Sequence, residues 1–95
     1  MMYGVLLRPP AQKFLRKRRD KALTTRLIAA MRGWADNPRP AGAEKLTGME
    51  DLHRFRIGDS RILYQVQDAV LPVLVVKLGH RREVYRFAVR AGLAL

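Results

Sequence analysis

The 95-residue chain contains no cysteine. Disulfides, thiolate nucleophiles and cysteine-based metal sites are therefore excluded, and a reducing cytoplasm is compatible with the composition. Histidine is almost as scarce. His53 and His80 are the two present, and the scattered carboxylates show no ligand spacing around them, so neither a metal nor another cofactor is expected. There is no Gly-rich phosphate loop and no serine or cysteine nucleophile motif. Long apolar runs are missing too. The longest, Ala69 to Val76, contains Pro72 and is far too short to span a bilayer, so no membrane partner is expected. Met1 to Leu7 is apolar but too short for a signal peptide, and Arg8 with two prolines closes it.

Acidic residues are the last shortage. Eight Asp and Glu face nineteen Lys and Arg, a net charge of +11. Fourteen of the cations are arginines, whose planar fork of donors matches phosphate oxygens. Such a field draws polyanions and speeds encounter with them. The bland alternative is a soluble domain whose arginines reflect a GC-rich genome. Apolar residues make up 48% of the chain, enough for one modest core and too many for a disordered tail. A single domain over residues 1–95 is expected.

The periodicity divides the chain in two. Met1 to Arg8 reads as a strand stopped by Pro9-Pro10, and prolines are tolerated where a helix begins. Ala11 to Arg19 reads as a short helix with Ala11, Phe14 and Leu15 on one face. Asp20 is a plausible N-cap for a second helix carrying Leu23, Leu27, Met31 and Trp34 at helical spacing, and Asn37-Pro38 ends it. Asn37 to Asp51 reads as a loop. The period then becomes two: Leu52 to Ile57, Arg61 to Gln67 and Val73 to Leu78 read as strands, with Gly58-Asp59 a turn and Asp68-Ala69 opening the next connection. Glu83 to Ala91 reads as a closing helix with Val84, Phe87, Ala88 and Ala91 toward the core. The expected fold class is α+β: an N-terminal strand, a helical hairpin, a mostly antiparallel sheet with helices on one face, and a short C-terminal helix.

The strand pair around Gly58-Asp59 carries the chemistry. Alternation puts Phe55 and Ile57 on one face and Arg54 and Arg56 on the other. With Gly58-Asp59 as the two turn residues, Arg56 faces Arg61 and Phe55 lies beside Ile62. Like charges directly opposed cost stability, so a sheet face that keeps three guanidiniums has an anion to place there. The alternative is a solvated basic face with arginine stems covering apolar surface. A second cluster, Gly79-His80-Arg81-Arg82-Glu83-Val84-Tyr85, sits where the last strand meets the last helix. Alone, Tyr85 reads as a core residue and His80 as a structural one. Beside arginines, both become candidates for proton transfer. RNA needs no metal or protein nucleophile, because its 2′-hydroxyl can attack the adjacent phosphate. The protein must bind the phosphate, stabilise charge and move two protons. DNA lacks that hydroxyl, so the equipment points to RNA. The run Arg16-Lys17-Arg18-Arg19 is a solvated helix end or a contact for RNA or an acidic partner.

At these residues the chain resembles the RelE branch of the RelE/ParE toxin superfamily. The resemblance is carried by Glu44-Lys45-Leu46-Thr47-Gly48, by the segment from Leu52 to Tyr64, and by the segment from Val76 to Tyr85. It implies the α+β fold above and a metal-independent endoribonuclease that enters the ribosomal A site and cleaves mRNA, leaving a 2′,3′-cyclic phosphate. It also implies inhibition of translation, a cytoplasmic location and an acidic, RelB-like antitoxin bound in a hetero-oligomer. By the same resemblance, Arg54, Arg56, Arg61, Arg81 and Tyr85 are catalytic candidates, with His80 beside them. Arg54, Arg56, Arg61, Arg81, Arg82 and Lys45 are the substrate-binding candidates. Some members carry lysines where this chain has Arg54 and Arg56. Arginine effectively cannot lose its proton, so these two would only stabilise charge. The base then lies between Tyr85, His80 and the ribosome. The rival of another class is a ParE-like protein that poisons DNA gyrase without chemistry of its own.

Overall fold

A computed structural model describes residues 4–17, 20–48, 51–67 and 73–93. The readings at Met1 to Tyr3, Arg18, Arg19, Asp68 and Ala69 lie outside these residues. In chain order the elements are β1 (Val5–Leu7), α1 (Pro9–Lys17), α2 (Lys21–Gly33), β2 (Glu44–Lys45), β3 (Leu52–Ile57), β4 (Ser60–Val66), β5 (Val73–His80) and α3 (Arg81–Arg90). Among the described residues the strands form one sheet in the order β1-β5-β4-β3-β2. β1 runs parallel to β5, and the other pairs are antiparallel.

Local chemistry sets the boundaries. Pro9 and Pro10 cannot donate to a ladder, so the chain leaves β1 and enters α1 there. The Asp20 carboxylate accepts the Leu23 N–H at 3.0 Å and caps α2. Gly58, at φ 56°, takes the left-handed conformation that a two-residue hairpin turn needs. The resulting register is the expected one, with Ile57 opposite Ser60, Arg56 opposite Arg61 and Phe55 opposite Ile62.

The sheet is covered on both faces, where the sequence suggested helices on one. Ala11 of α1 with Leu27, Met31 and Trp34 of the α2 segment packs on Ile57, Ile62, Tyr64, Val66, Val73, Val75 and Leu78. Inside that core Trp34 stacks on Tyr64 at 3.9 Å between centroids, and the Tyr64 hydroxyl donates to the Pro38 carbonyl at 2.9 Å. On the opposite face, Val84 and Ala88 of α3 cover Leu52, Leu63 and Val76. Alternation read along β4 had missed that Leu63, between Ile62 and Tyr64, is equally apolar and buried. A bulge helps build this second core. Leu63 pairs with Lys77 while Tyr64 pairs with Val75, which leaves Val76 as the extra residue.

Two further readings are corrected. The loop from Asn37 to Asp51 contains β2, whose residues Glu44 and Lys45 have weak strand propensity. Tertiary pairing makes it a strand: Glu44 lies opposite Arg54 and Lys45 opposite His53. Ala91, expected toward the core, is the exposed C-cap of α3. Gly92 turns the chain at φ 73°, and the Leu93 N–H bonds to the Ala88 carbonyl at 2.8 Å. The apolar contact at that end is therefore made by Leu93, as in a Schellman cap.

Candidate functional site

The arginine face lies beside α3. Arg54 and Arg56 alternate along β3, and Arg61 enters from β4 directly across from Arg56. On the other side Arg61 pairs with Gly79 of β5. A Cβ at Gly79 would lie 3.0 Å from a Glu83 carboxylate oxygen and 3.8 Å from Val84, so glycine lets the first turn of α3 sit close to the sheet. The strand continues to His80, and α3 begins at Arg81, two residues before the expected start. Helical spacing then turns Arg81, Arg82, Tyr85 and Arg86 toward the sheet arginines. The result is an open cavity of about 530 Å³ lined by Arg54, Arg61, Arg81, Arg82, Val84, Tyr85 and Arg86.

Each guanidinium is held differently. Arg54 donates to the Glu44 carboxylate at 2.5 Å, while its Nε is buried without a hydrogen-bond partner. Arg61 turns one amino group back onto the Gly58 and Ser60 carbonyls, both at 3.0 Å. Its pKa is lowered, first by desolvation and then by Arg56, Arg54 and Arg81, with Asp59 opposing. It stays protonated, as arginine does in proteins, so the lowered value records first its desolvation and then the repulsion of the neighbouring guanidiniums. Among the described residues no carboxylate lines the cavity. A phosphate placed there would relieve the repulsion and accept several charge-assisted hydrogen bonds.

The sequence candidates separate. Arg54, Arg61, Arg81, Arg82 and Tyr85 come together around the cavity, and Tyr85 stands at its rim, 59% exposed and outside the core. Arg56 does not line it and acts on Arg61 from across the ladder. Lys45 is exposed on β2, away from the lining. His80 caps α3, its Nδ1 accepting the Arg82 N–H at 3.2 Å. Its ring lines a separate depression with Asp20, Arg26, Asp59 and Ser60 on the α2 side of the sheet. Two functional residues were missed. Arg86 follows from helical spacing, four residues after Arg82 and next to Tyr85. Glu44, the partner of Arg54, carries no signal until β2 is recognised as a strand.

Among the described residues, no helix is long and apolar enough to cross a membrane, and no group of three or more His, Asp or Glu stands together to hold a metal.

Comparison with known proteins follows this geometry. Residues 5–85 match the model of a family described as the ParE toxin of the type II toxin–antitoxin system parDE. A RelE-like toxin protein of Escherichia coli is 35% identical over 92 residues, spanning 93% of this chain and 95% of that one. The free E. coli toxin RelE, solved with two arginines changed to alanine, superposes with a TM-score of 0.76 at 29% identity, covering 95% of this chain and 97% of the other. The archaeal RelE–RelB complex of Pyrococcus horikoshii superposes with a TM-score of 0.75 at 29% identity, covering 85% and 97%.

Proposed function

The chain belongs to the RelE/ParE superfamily of type II toxin–antitoxin toxins, and from that premise we propose that it is a metal-independent endoribonuclease cutting mRNA in the ribosomal A site. The observation that carries this reading is the convergence of β3, β4 and α3 arginines with Tyr85 on one cavity that, among the described residues, no carboxylate lines.

In the proposed reaction the scissile phosphate sits among Arg54, Arg61, Arg81 and Arg82. The 2′-oxygen attacks phosphorus and gives up its proton. The P–O5′ bond breaks, the 5′-oxygen takes a proton, and a 2′,3′-cyclic phosphate remains. The arginines stabilise the charge that develops on the phosphoryl oxygens, a contribution that grows in a site arranged before the reaction begins. Arg56 adds to the positive field without touching the phosphate. Tyr85 is the cavity's proton-exchanging group and can also stack on a base. With His80 turned to the other side, the second proton transfer falls to the ribosome.

We also propose an acidic antitoxin as partner. A surface of net charge +11 with an open cationic cavity suits an acidic segment that folds across it. The P. horikoshii relative was solved with RelB. The chain expressed alone is expected to stop growth, and an adjacent acidic partner to relieve the arrest; normal growth at verified high expression would overturn this.

The test is to map new RNA 5′ ends after adding purified protein to a cell-free translation reaction. Cuts in coding sequence, in register with the A site and absent without ribosomes, are expected. Cuts without ribosomes would keep the nuclease and discard the A-site mechanism. The matching family model is named for ParE, which favours a second reading, a gyrase inhibitor without chemistry. Intact message with inhibited supercoiling would establish that one instead.

A further inference from the structure

The first two turns of α3 supply Arg81, Arg82, Tyr85 and Arg86 to the cavity, so whatever fixes the start of the helix fixes much of the site. Two hydrogen bonds hold its leading N–H groups. Arg81 N–H donates to the Asp59 carbonyl in the β3–β4 turn at 2.8 Å, and Arg82 N–H donates to His80 Nδ1 at 3.2 Å. His80 has the extended backbone of an N-cap, φ −62° and ψ 148°. Histidine is an unusual choice there. Ser, Thr, Asp and Asn are preferred, and the helix dipole favours a carboxylate.

The neighbours explain the choice. The capping residue is followed directly by Arg81 and Arg82 and lies across the ladder from the strand that carries Arg61. An aspartate here would cap α3 and also set a negative charge one residue before Arg81 and two before Arg82, weakening the positive field that draws a substrate phosphate. A neutral imidazole offers a lone pair and no charge. The one acidic residue in the first turn, Glu83, faces a different groove beside Lys13, Arg16, Lys17 and Lys77.

We infer that His80 is a positioning residue: an uncharged N-cap that fixes the arginines of α3 while leaving their positive charge free for a phosphodiester. The inference rests on the phosphate-binding reading of the cavity and assigns His80 no proton transfer.

Three variants test it, read by amide exchange at Arg82, by affinity for a fluorescent, uncleavable 2′-O-methyl RNA oligonucleotide, and by cleavage in the translation reaction. His80→Asn keeps an uncharged acceptor and is expected to stay within about threefold of wild type in affinity and cleavage. His80→Ala loses the cap, exchanges faster at Arg82 and is expected to lose about tenfold in cleavage. His80→Asp is expected to protect Arg82 as wild type does while binding the oligonucleotide about tenfold more weakly. If His80→Asn were as inactive as His80→Ala, the imidazole would be acting chemically and the inference would fall. Equal affinities for His80→Asp and His80→Asn would overturn the charge argument, as would wild-type protein that binds no oligonucleotide. If wild type binds but does not cleave, the nuclease reading falls, and the exchange and binding pattern still decides the role of His80.

Discussion

Arg61 sits in a crowded electrostatic position, with Arg56 across the ladder, Arg54 and Arg81 nearby and Asp59 opposing them. Its side chain is half-buried and lines the open cavity, so its removal should cost chemistry more than folding. Arg61→Ala is expected to lower cleavage by about 10²–10³-fold, the usual cost of losing a charge-stabilising donor. Circular dichroism and the thermal midpoint of the purified variant should match wild type. Residual cleavage near the wild-type rate in that folded protein would remove Arg61 from the mechanism. Tyr64 is the contrasting residue. Burial raises its phenol pKa above the ordinary 10, with Arg39 partly opposing and Asp51 adding to the rise. The unfolded chain therefore ionises first. Stability is complete below about pH 10 and falls as pH rises from there toward the folded value. Tyr64→Phe should remove that alkaline slope. It should also cost about 1–3 kcal/mol at neutral pH, because the Pro38 carbonyl loses its donor, as urea titrations at pH 7 and above pH 10 would show.

At the scale of elements, the loops that join the two faces are the sensitive parts. Gly48 has φ 101°, and a Cβ there would lie 3.1 Å from Leu93 and 3.2 Å from the Gly92 carbonyl. Gly48→Ala combines a left-handed backbone with a clash against the α3 cap. It should destabilise the fold by about 1–3 kcal/mol in denaturant titration. The same elements show why the sequence was readable in some places and not in others. β3, β4 and their turn were legible because period-two alternation, a Gly-Asp turn and the apolar pairing of Phe55 with Ile62 all demand one register. α2 was legible through Asp20 and the Leu27–Met31–Trp34 spacing. β2 was not, because Glu44 and Lys45 become a strand only by pairing with β3, a contact local pattern does not carry. The position of α3 was hidden for a similar reason. Leu52, Leu63 and Val76 form a second core only when three strands align and a bulge admits Val76. Arg54, Arg61, Arg81, Arg82 and Tyr85 could be named from residue type and resemblance. That His80 faces away from them required the extra turn that puts α3's start at Arg81.

For the whole molecule, charge governs encounter. With the scissile phosphate neutralised at the cavity, the log–log dependence of RNA-oligonucleotide affinity on salt should have a slope of about −0.7, steeper by about as much again for each further phosphate that the basic surface meets. Fluorescence titration between low and physiological salt would measure it, and a flat response would mean the arginines do not meet phosphate. The parallel pairing of β1 with β5 has a consequence for the order in which the protein is made. Val5 leaves the ribosome early, and its partner Val73 is added only after both helices of the first layer and three strands. Tyr85 and Arg86 come later still. A growing chain thus holds Arg54 and Arg61 for much of its synthesis without the wall that completes the cavity. A premature stop before β5 leaves the first strand unpaired, and one between β5 and α3 leaves half a site. On the reading proposed above, the harmful property arises only when α3 joins the sheet, so a truncation ahead of α3 disarms the protein.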